Sequence, residues 1–169
     1  NAQSILITDS VNVAKAAIEQ VDIILKNLSR AEIAGKSWKH NGAVIKVPDL
    51  DTAAELSNRI APEHLELCIS NPEDLAKKIF NAGAIFLGHW TPEAVGDYVT
   101  GPNHVLPTSR SARFSSGLSV MEFLKRTTLA KVSRGALLKI GPSAVTLANS
   151  EGLECHGRSI NERMKSNSE

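Results

Sequence analysis

Residues 42–69 read "GAVIKVPDLDTAAELSNRIAPEHLELCI", and this stretch decides the fold. "GAVIKVP" at 42–48 is a short apolar run closed by Pro48, the mark of a buried strand. Thr52 with Glu55 matches a capping box, which opens a helix through about Ile60. Pro62 ends that helix, because its ring disfavours helical geometry at the residue before it. "HLELCI" then gives another strand. A strand, a helix and a strand in this order form a crossover unit, and such units build parallel sheets covered by helices.

The same alternation extends both ways. Upstream, "SILIT" at 4–8 reads as a strand, and Ser10 caps a helix whose apolar face is Val11, Ala14, Ile18, Val21, Leu25 and Leu28. Downstream, "PEDLAKKIFN" at 72–81 is a helix with Pro72 in its first turn, and "AIFLG" after Gly83 is a strand. Thr91 and Pro92 start a short helix through about Val99. The reading is an α/β chain with an incomplete, Rossmann-like, mostly parallel sheet and flanking helices over residues 1–118. A small C-terminal helical tail segment follows over 119–169. Functional groups of open parallel sheets gather beyond the carboxyl ends of the strands, so chemistry is expected there.

Past residue 100 the chain becomes "GPNHVLPTSRSARFSSG", longer than structureless loops usually run inside a domain. Pro102 and Pro107 argue that it is ordered. Beyond it come a helix-like "SVMEFLK", a strand-like "TTLAKVS", a helix at about 142–151 and the polar tail "ECHGRSINERMKSNSE". The tail has little core of its own and is expected to pack on something else, such as a second subunit.

Bulk composition narrows the function classes. The 169 residues carry 19 basic and 18 acidic side chains, so no field of one sign would gather nucleic acid or anionic lipid. Cys68 and Cys155, without a C-x-x-C partner, suggest a reducing compartment. No apolar run approaches the roughly 20 residues of a membrane span, and the first residues lack the pattern of a signal peptide. A cytoplasmic protein is expected. The start at Asn1 suggests either processing or a piece of a longer polypeptide. Neither a dinucleotide fingerprint nor a P-loop is present to locate a cofactor.

Several residues could carry chemistry. Glu63 and His64 adjoin at the end of a helix, where an acid beside an imidazole offers two proton acceptors with different ranges. On spacing alone the simpler reading is favoured: a solvated Glu and a His packed at a strand edge. Asp97 opposes the negative end of the helix begun at Thr91 unless a cation compensates. His104 sits in the polar loop, free to bond a substrate or the loop backbone. Glu151 and His156 make a second acid–imidazole grouping, read alternatively as a solvated tail. Arg110 and Arg113 could meet an anion or water, and Cys68 reads as a small core residue.

Three stretches, "APEHLEL" (61–67), "GDYVTGPNHVLPT" (96–108) and "SRGALLKIGPSAVTLANSEGLECHGRSI" (133–160), closely resemble histidinol dehydrogenase, and the similarity runs through nearly the whole chain. The resemblance implies a zinc-dependent enzyme of histidine biosynthesis that oxidises L-histidinol through L-histidinal to L-histidine, reducing two NAD. It implies that His64 takes the alcohol proton and that Glu63 activates the water attacking the aldehyde. Asp97 and His156 would be zinc ligands. His64, Asp97, His104, Glu151 and His156 would hold the substrate. It further implies a homodimer whose tail reaches the partner's site, so that Glu151 and His156 serve the other subunit. Members of the family are longer, with two more zinc ligands and the NAD-contacting domain upstream of the point matching Asn1. The expectation is a C-terminal part that, alone, binds zinc weakly and turns nothing over. Two other readings use the same residues: a non-catalytic ligand-binding or dimerisation module, and a zinc hydrolase without NAD.

Overall fold

Proline 48 hands the chain to Asp49, which sits in extended geometry and starts the central helix. Its side chain accepts the Thr52 amide at 2.7 Å, so α3 runs Leu50–Ile60. The cap is therefore Asp49 rather than Thr52 with Glu55, because a short carboxylate one residue before the first turn reaches the free N–H groups directly. In this computed structural model, which describes residues 2–165, four strands are interleaved with helices in the first part of the chain, and seven α-helices occur in all among the described residues. The end of the polar tail, 166–169, lies outside the described residues.

β1 (Ile5–Thr8) lies parallel to β2 (Ala43–Lys46), with Ile5 opposite Ala43 and Thr8 opposite Lys46. β3 (His64–Leu67) lies parallel to β4 (Ala84–Leu87), with His64 opposite Ala84. The expected parallel arrangement is present, as two pairs among the described residues rather than one continuous sheet. α1 (Val11–Leu25) is capped by Ser10, as its sequence indicates. It stops short of Leu28, and a further helix, α2 (Ala31–Asn41), fills a stretch for which the apolar pattern gave no element.

Other departures have local causes. The helix expected over 72–81 ends at Ala76. Asn58 of α3 explains this: its Oδ1 accepts the Phe80 and Asn81 amides at 2.7 and 3.1 Å, and its Nδ2 donates to the Lys78 carbonyl. A side-chain amide that captures backbone groups competes with the helix for them. "SVMEFLK" forms only a 3-10 turn, Val120–Phe123, closed by a Ser119–Glu122 capping box. "TTLAKVS" joins no strand; Leu129 within it is 95% exposed, with no neighbouring strand to pair.

The first core is small and centred on α3, β3 and α4 (Pro72–Ala76). Ala54, Leu67 and Leu75 are buried there against Leu50, Leu65, Ile69 and Ile79. Burying each such leucine is worth about 1.5–3 kcal/mol relative to leaving it in water. Ala61 closes α3 in left-handed geometry (φ 52°) while almost wholly buried. That geometry costs a non-glycine residue roughly 1–2 kcal/mol. It turns the chain sharply from α3 into Pro62, Glu63 and β3.

The chain divides into two compact units, residues 1–124 and 125–169. In the second, α6 (Arg134–Ser150) begins at the Ser133 cap, eight residues before the expected start, and carries Pro142 in its interior. α7 (Glu154–Lys165) gives the polar tail a helix that packs on α6. The buried Gly141 and Gly157 lie where the two meet; a Cβ on Gly141 would stand 2.6 Å from Met164 Sδ. No helix among the described residues is long and apolar enough to cross a membrane.

Candidate functional site

The side chains that come together in the first unit are those around the amino end of β3, not beyond the carboxyl ends of the strands. His64 is the first residue of β3. Its ring stacks on Phe86 of β4, with centroids 6.1 Å apart, and on His104, at 5.2 Å and 20°. α5 (Glu93–Tyr98) rests on the same Phe86, because Gly96 leaves no Cβ between helix and ring. That close approach requires glycine. It sets the next residue, Asp97, beside both imidazoles.

Asp97 Oδ1 lies 2.5 Å from His104 Nδ1 and 3.8 Å from His64 Nε2. Glu93, one helical turn earlier on the same face, has Oε1 3.7 Å from the same His64 nitrogen. Neither carboxylate is close enough to bond it. His64 Nε2 is buried and has no hydrogen-bond partner. The Glu93 carboxyl is held above its ordinary range, first by its hydrogen bond with Asp97, then by burial and by the Asp97 charge, with the two imidazoles opposing.

α5 lacks a side-chain cap of its own, since its N-cap is Pro92. Glu66 of β3 supplies one: its Oε1 accepts the Glu93 amide at 2.7 Å. The other oxygen lies 3.8 Å from Cys68 Sγ. Cys68 is exposed rather than a core residue, since β3 ends at Leu67. Burial, followed by the Glu66 charge and hydrogen bond, pushes its thiol up.

The loop bearing His104 is ordered, as its prolines indicate. Asn103 Oδ1 accepts the Val105 amide, and the Leu118 amide reaches the Val105 carbonyl. Arg110 and Arg113 do not face an open anion site. Arg110 donates to the carbonyls of Arg59 and Ile60, and Arg113 to that of Arg59, so both satisfy the last turn of α3.

Glu63 enters β3 through its carbonyl, which accepts the Ala84 amide at 2.9 Å. Its carboxylate is not among the group formed by His64, Asp97 and His104. Glu151 and His156 lie in the second unit, Glu151 as the exposed C-cap of α6 and His156 exposed in the first turn of α7. At the carboxyl ends of β3 and β4, where chemistry was expected, lies an open groove of about 500 Å³ lined by Cys68, Ile69, His89 and Lys78.

Glu93 and Glu66 escaped the sequence reading. The signal for Glu93 is its four-residue spacing from Asp97 behind a proline; Glu66 gave none, since alternate strand residues are commonly polar.

The donors fit a divalent cation. One ligand atom each from His64, Asp97 and His104 lies within 4.8 Å of the others. Nitrogen and oxygen ligands of a tetrahedral zinc stand about 3.4 Å apart, from bonds of roughly 2.1 Å. Asp97 Oδ1, at 2.5 Å from His104 Nδ1 and 3.8 Å from His64 Nε2, is the oxygen donor common to both imidazoles.

A family model described as histidinol dehydrogenase matches residues 1–164. The chain belongs to the histidinol dehydrogenase family. It is 64% identical over 164 residues to the histidinol dehydrogenase of Ruegeria pomeroyi and 60% identical to that of Cereibacter sphaeroides. Each match covers 97% of this chain and 38% of the relative, so the chain spans well under half the length of the family members it resembles. The crystal structure of histidinol dehydrogenase from Elizabethkingia anophelis superposes with a TM-score of 0.79 at 37% identity, over 98% of this chain and 38% of that one. The mixed α/β architecture with small parallel sheets is thus that of a histidinol dehydrogenase.

Proposed function

We propose that this segment, within a full-length histidinol dehydrogenase, supplies the proton-transfer groups and part of the metal site for the zinc-dependent, NAD-linked oxidation of L-histidinol through L-histidinal to L-histidine. The observation that supports it is the convergence of His64, Asp97 and His104 in a chain matched to this family over residues 1–164. A buried imidazole nitrogen without a partner is costly unless a neighbouring group closes on it when the site is occupied.

His64 takes the proton of the alcohol as it is oxidised. Glu63 removes a proton from the water that adds to the aldehyde carbon. Splitting the work between two acceptors suits two successive oxidations, because each group can be tuned to its own step. Asp97 and His156 are the residues that would hold zinc, with His104 and Glu151 fixing the substrate beside them. When bound, zinc supplies the positive charge that orients the substrate's imidazole and amino nitrogens, and NAD accepts the hydride at each oxidation.

The working unit is a cytoplasmic homodimer in which residues 1–118 carry the Glu63–His64 pair and the tail, 119–169, brings Glu151 and His156 to the partner's site. Residues 1–169 alone turn nothing over. The test replaces the matching segment of the Ruegeria pomeroyi relative with residues 1–164 and follows histidinol-dependent NADH formation. NADH production by this chimera supports the reading; a folded, zinc-loaded chimera that makes none overturns it.

A further inference from the structure

The two carboxylates facing His64 are not equivalent. Asp97 is engaged by His104 at 2.5 Å through the same oxygen that faces His64. Glu93 has His64 as its one imidazole within ion-pair distance among the described residues. Its backbone is fixed: Glu66 Oε1 holds the Glu93 amide at 2.7 Å, and Thr91 Oγ1 donates to the Leu87 carbonyl at 2.8 Å just before α5. Its carboxyl shares a hydrogen bond with Asp97, so engaging His64 means turning from Asp97 about an anchored Cα. Hydrogen bonds of catalytic groups are commonly long in the absence of substrate and tighten when it binds. The gap from Glu93 Oε1 to His64 Nε2 is 3.7 Å, under about 1 Å beyond hydrogen-bond length.

We propose that Glu93 is the positioning residue of His64: its carboxylate receives the Nε2–H of the imidazole, fixes the ring and its tautomer, and leaves Nδ1 free to accept a proton. This deepens the reading of His64 as the proton acceptor and rests on it. The arrangement follows a general rule, that an imidazole used for chemistry is oriented through its second nitrogen by a carboxylate or carbonyl. It also accounts for the one imidazole nitrogen that, among the described residues, is buried without a partner. His104, stacked on the other side of the ring, limits tilting.

The test is Glu93→Gln in the full-length chimera with the Ruegeria pomeroyi relative. The amide keeps the shape of the side chain but can present an N–H to Nε2, which favours the wrong tautomer. A merely structural role would be rescued by it. The expected result is a kcat lowered about 10- to 100-fold, with histidinol KM within about 2-fold and zinc content unchanged. Turnover at the unsubstituted rate, or loss of zinc, overturns the proposal. Nitrogen-15 spectra of the histidine rings give a readout that needs no turnover. His64 carries its proton on Nε2 in the unsubstituted protein and loses that preference in Glu93→Gln. A proton on Nδ1, or an Nε2 bound to metal, overturns the assignment. If the unsubstituted chimera fails to oxidise histidinol, the proposed function falls, while the spectra still decide what Glu93 does.

Discussion

The two units handle their chemistry-bearing residues in opposite ways. In the first, His64 is half-buried, stacked on Phe86 and on His104, and α5 is pinned to β3 through Glu66 before it presents Glu93 and Asp97. In the second, Glu151 and His156 stand exposed at the junction of α6 and α7, beside Gly152 in left-handed geometry. The first region holds its polar side chains in place by packing; the second leaves Glu151 and His156 on the surface. A site divided this way spends its rigidity where proton transfer needs alignment. On the proposed function, the remaining ligands are left to assembly.

The strongest way to break this contrast is His64→Gln in the full-length chimera. Loss of a positioned general base costs about 10²–10⁴-fold in kcat. Steady-state kinetics with unchanged melting temperature would support the account, and a change under about 3-fold would dissolve the first region's special status.

Next in size are two leucines, compared by denaturant unfolding. Leu67, buried in the α3–β3–α4 core, should lose about 2–5 kcal/mol on replacement by alanine. Leu147 on α6 is 65% exposed, and Leu147→Ala should cost about 0.5 kcal/mol or less. A loss at Leu147 equal to that at Leu67 would show that the outer face of α6 is covered in the full assembly. Gly83→Ala comes third. A Cβ there meets the Glu63 carbonyl oxygen at 2.5 Å, so backbone rather than a flexible side chain must move. Overpacking of this kind costs about 1–3 kcal/mol, and the displaced Glu63 should lower kcat alongside the melting temperature.

The smallest effect lies far from the site. Asp49 is held below its ordinary carboxylate range, first by the Thr52 backbone amide and then by the Thr52 side chain. A depressed folded-state value means that its stabilisation is present above the unfolded value of 3.8 and is lost as pH falls through the lower folded value. Asp49→Asn should therefore flatten the acid limb of the stability curve while leaving turnover untouched. An unchanged acid limb would remove Asp49 as the cap that matters.

How much was legible in the residues follows from what each signal measures. Short apolar runs bounded by turn residues marked the four strands of the described residues, because burial and extension act locally, and also marked "TTLAKVS", which joins none. The Ser10 cap and the end of α3 before Pro62 were equally local. The truncation of α4 was hidden, since it depends on Asn58, some twenty residues away, reaching over to Phe80 and Asn81. The length of α6 was obscured by Pro142, which reads as a helix start but sits in its interior. At the site, His64, Asp97 and His104 were chosen on residue type and resemblance, and they lie together. Glu93 was missed because its importance comes from sharing a helical face with Asp97 opposite a strand, a relation that only the packing of α5 on Phe86 reveals.

The most direct test of the central claim, that Asp97 joins a metal to the His64 proton acceptor, is Asp97→Ala in the chimera, with zinc affinity measured by chelator competition and NADH formation measured on the same sample. The account predicts that zinc affinity falls about 10-fold or more and that histidinol oxidation is lost with it. Wild-type zinc affinity together with wild-type NADH formation would contradict it.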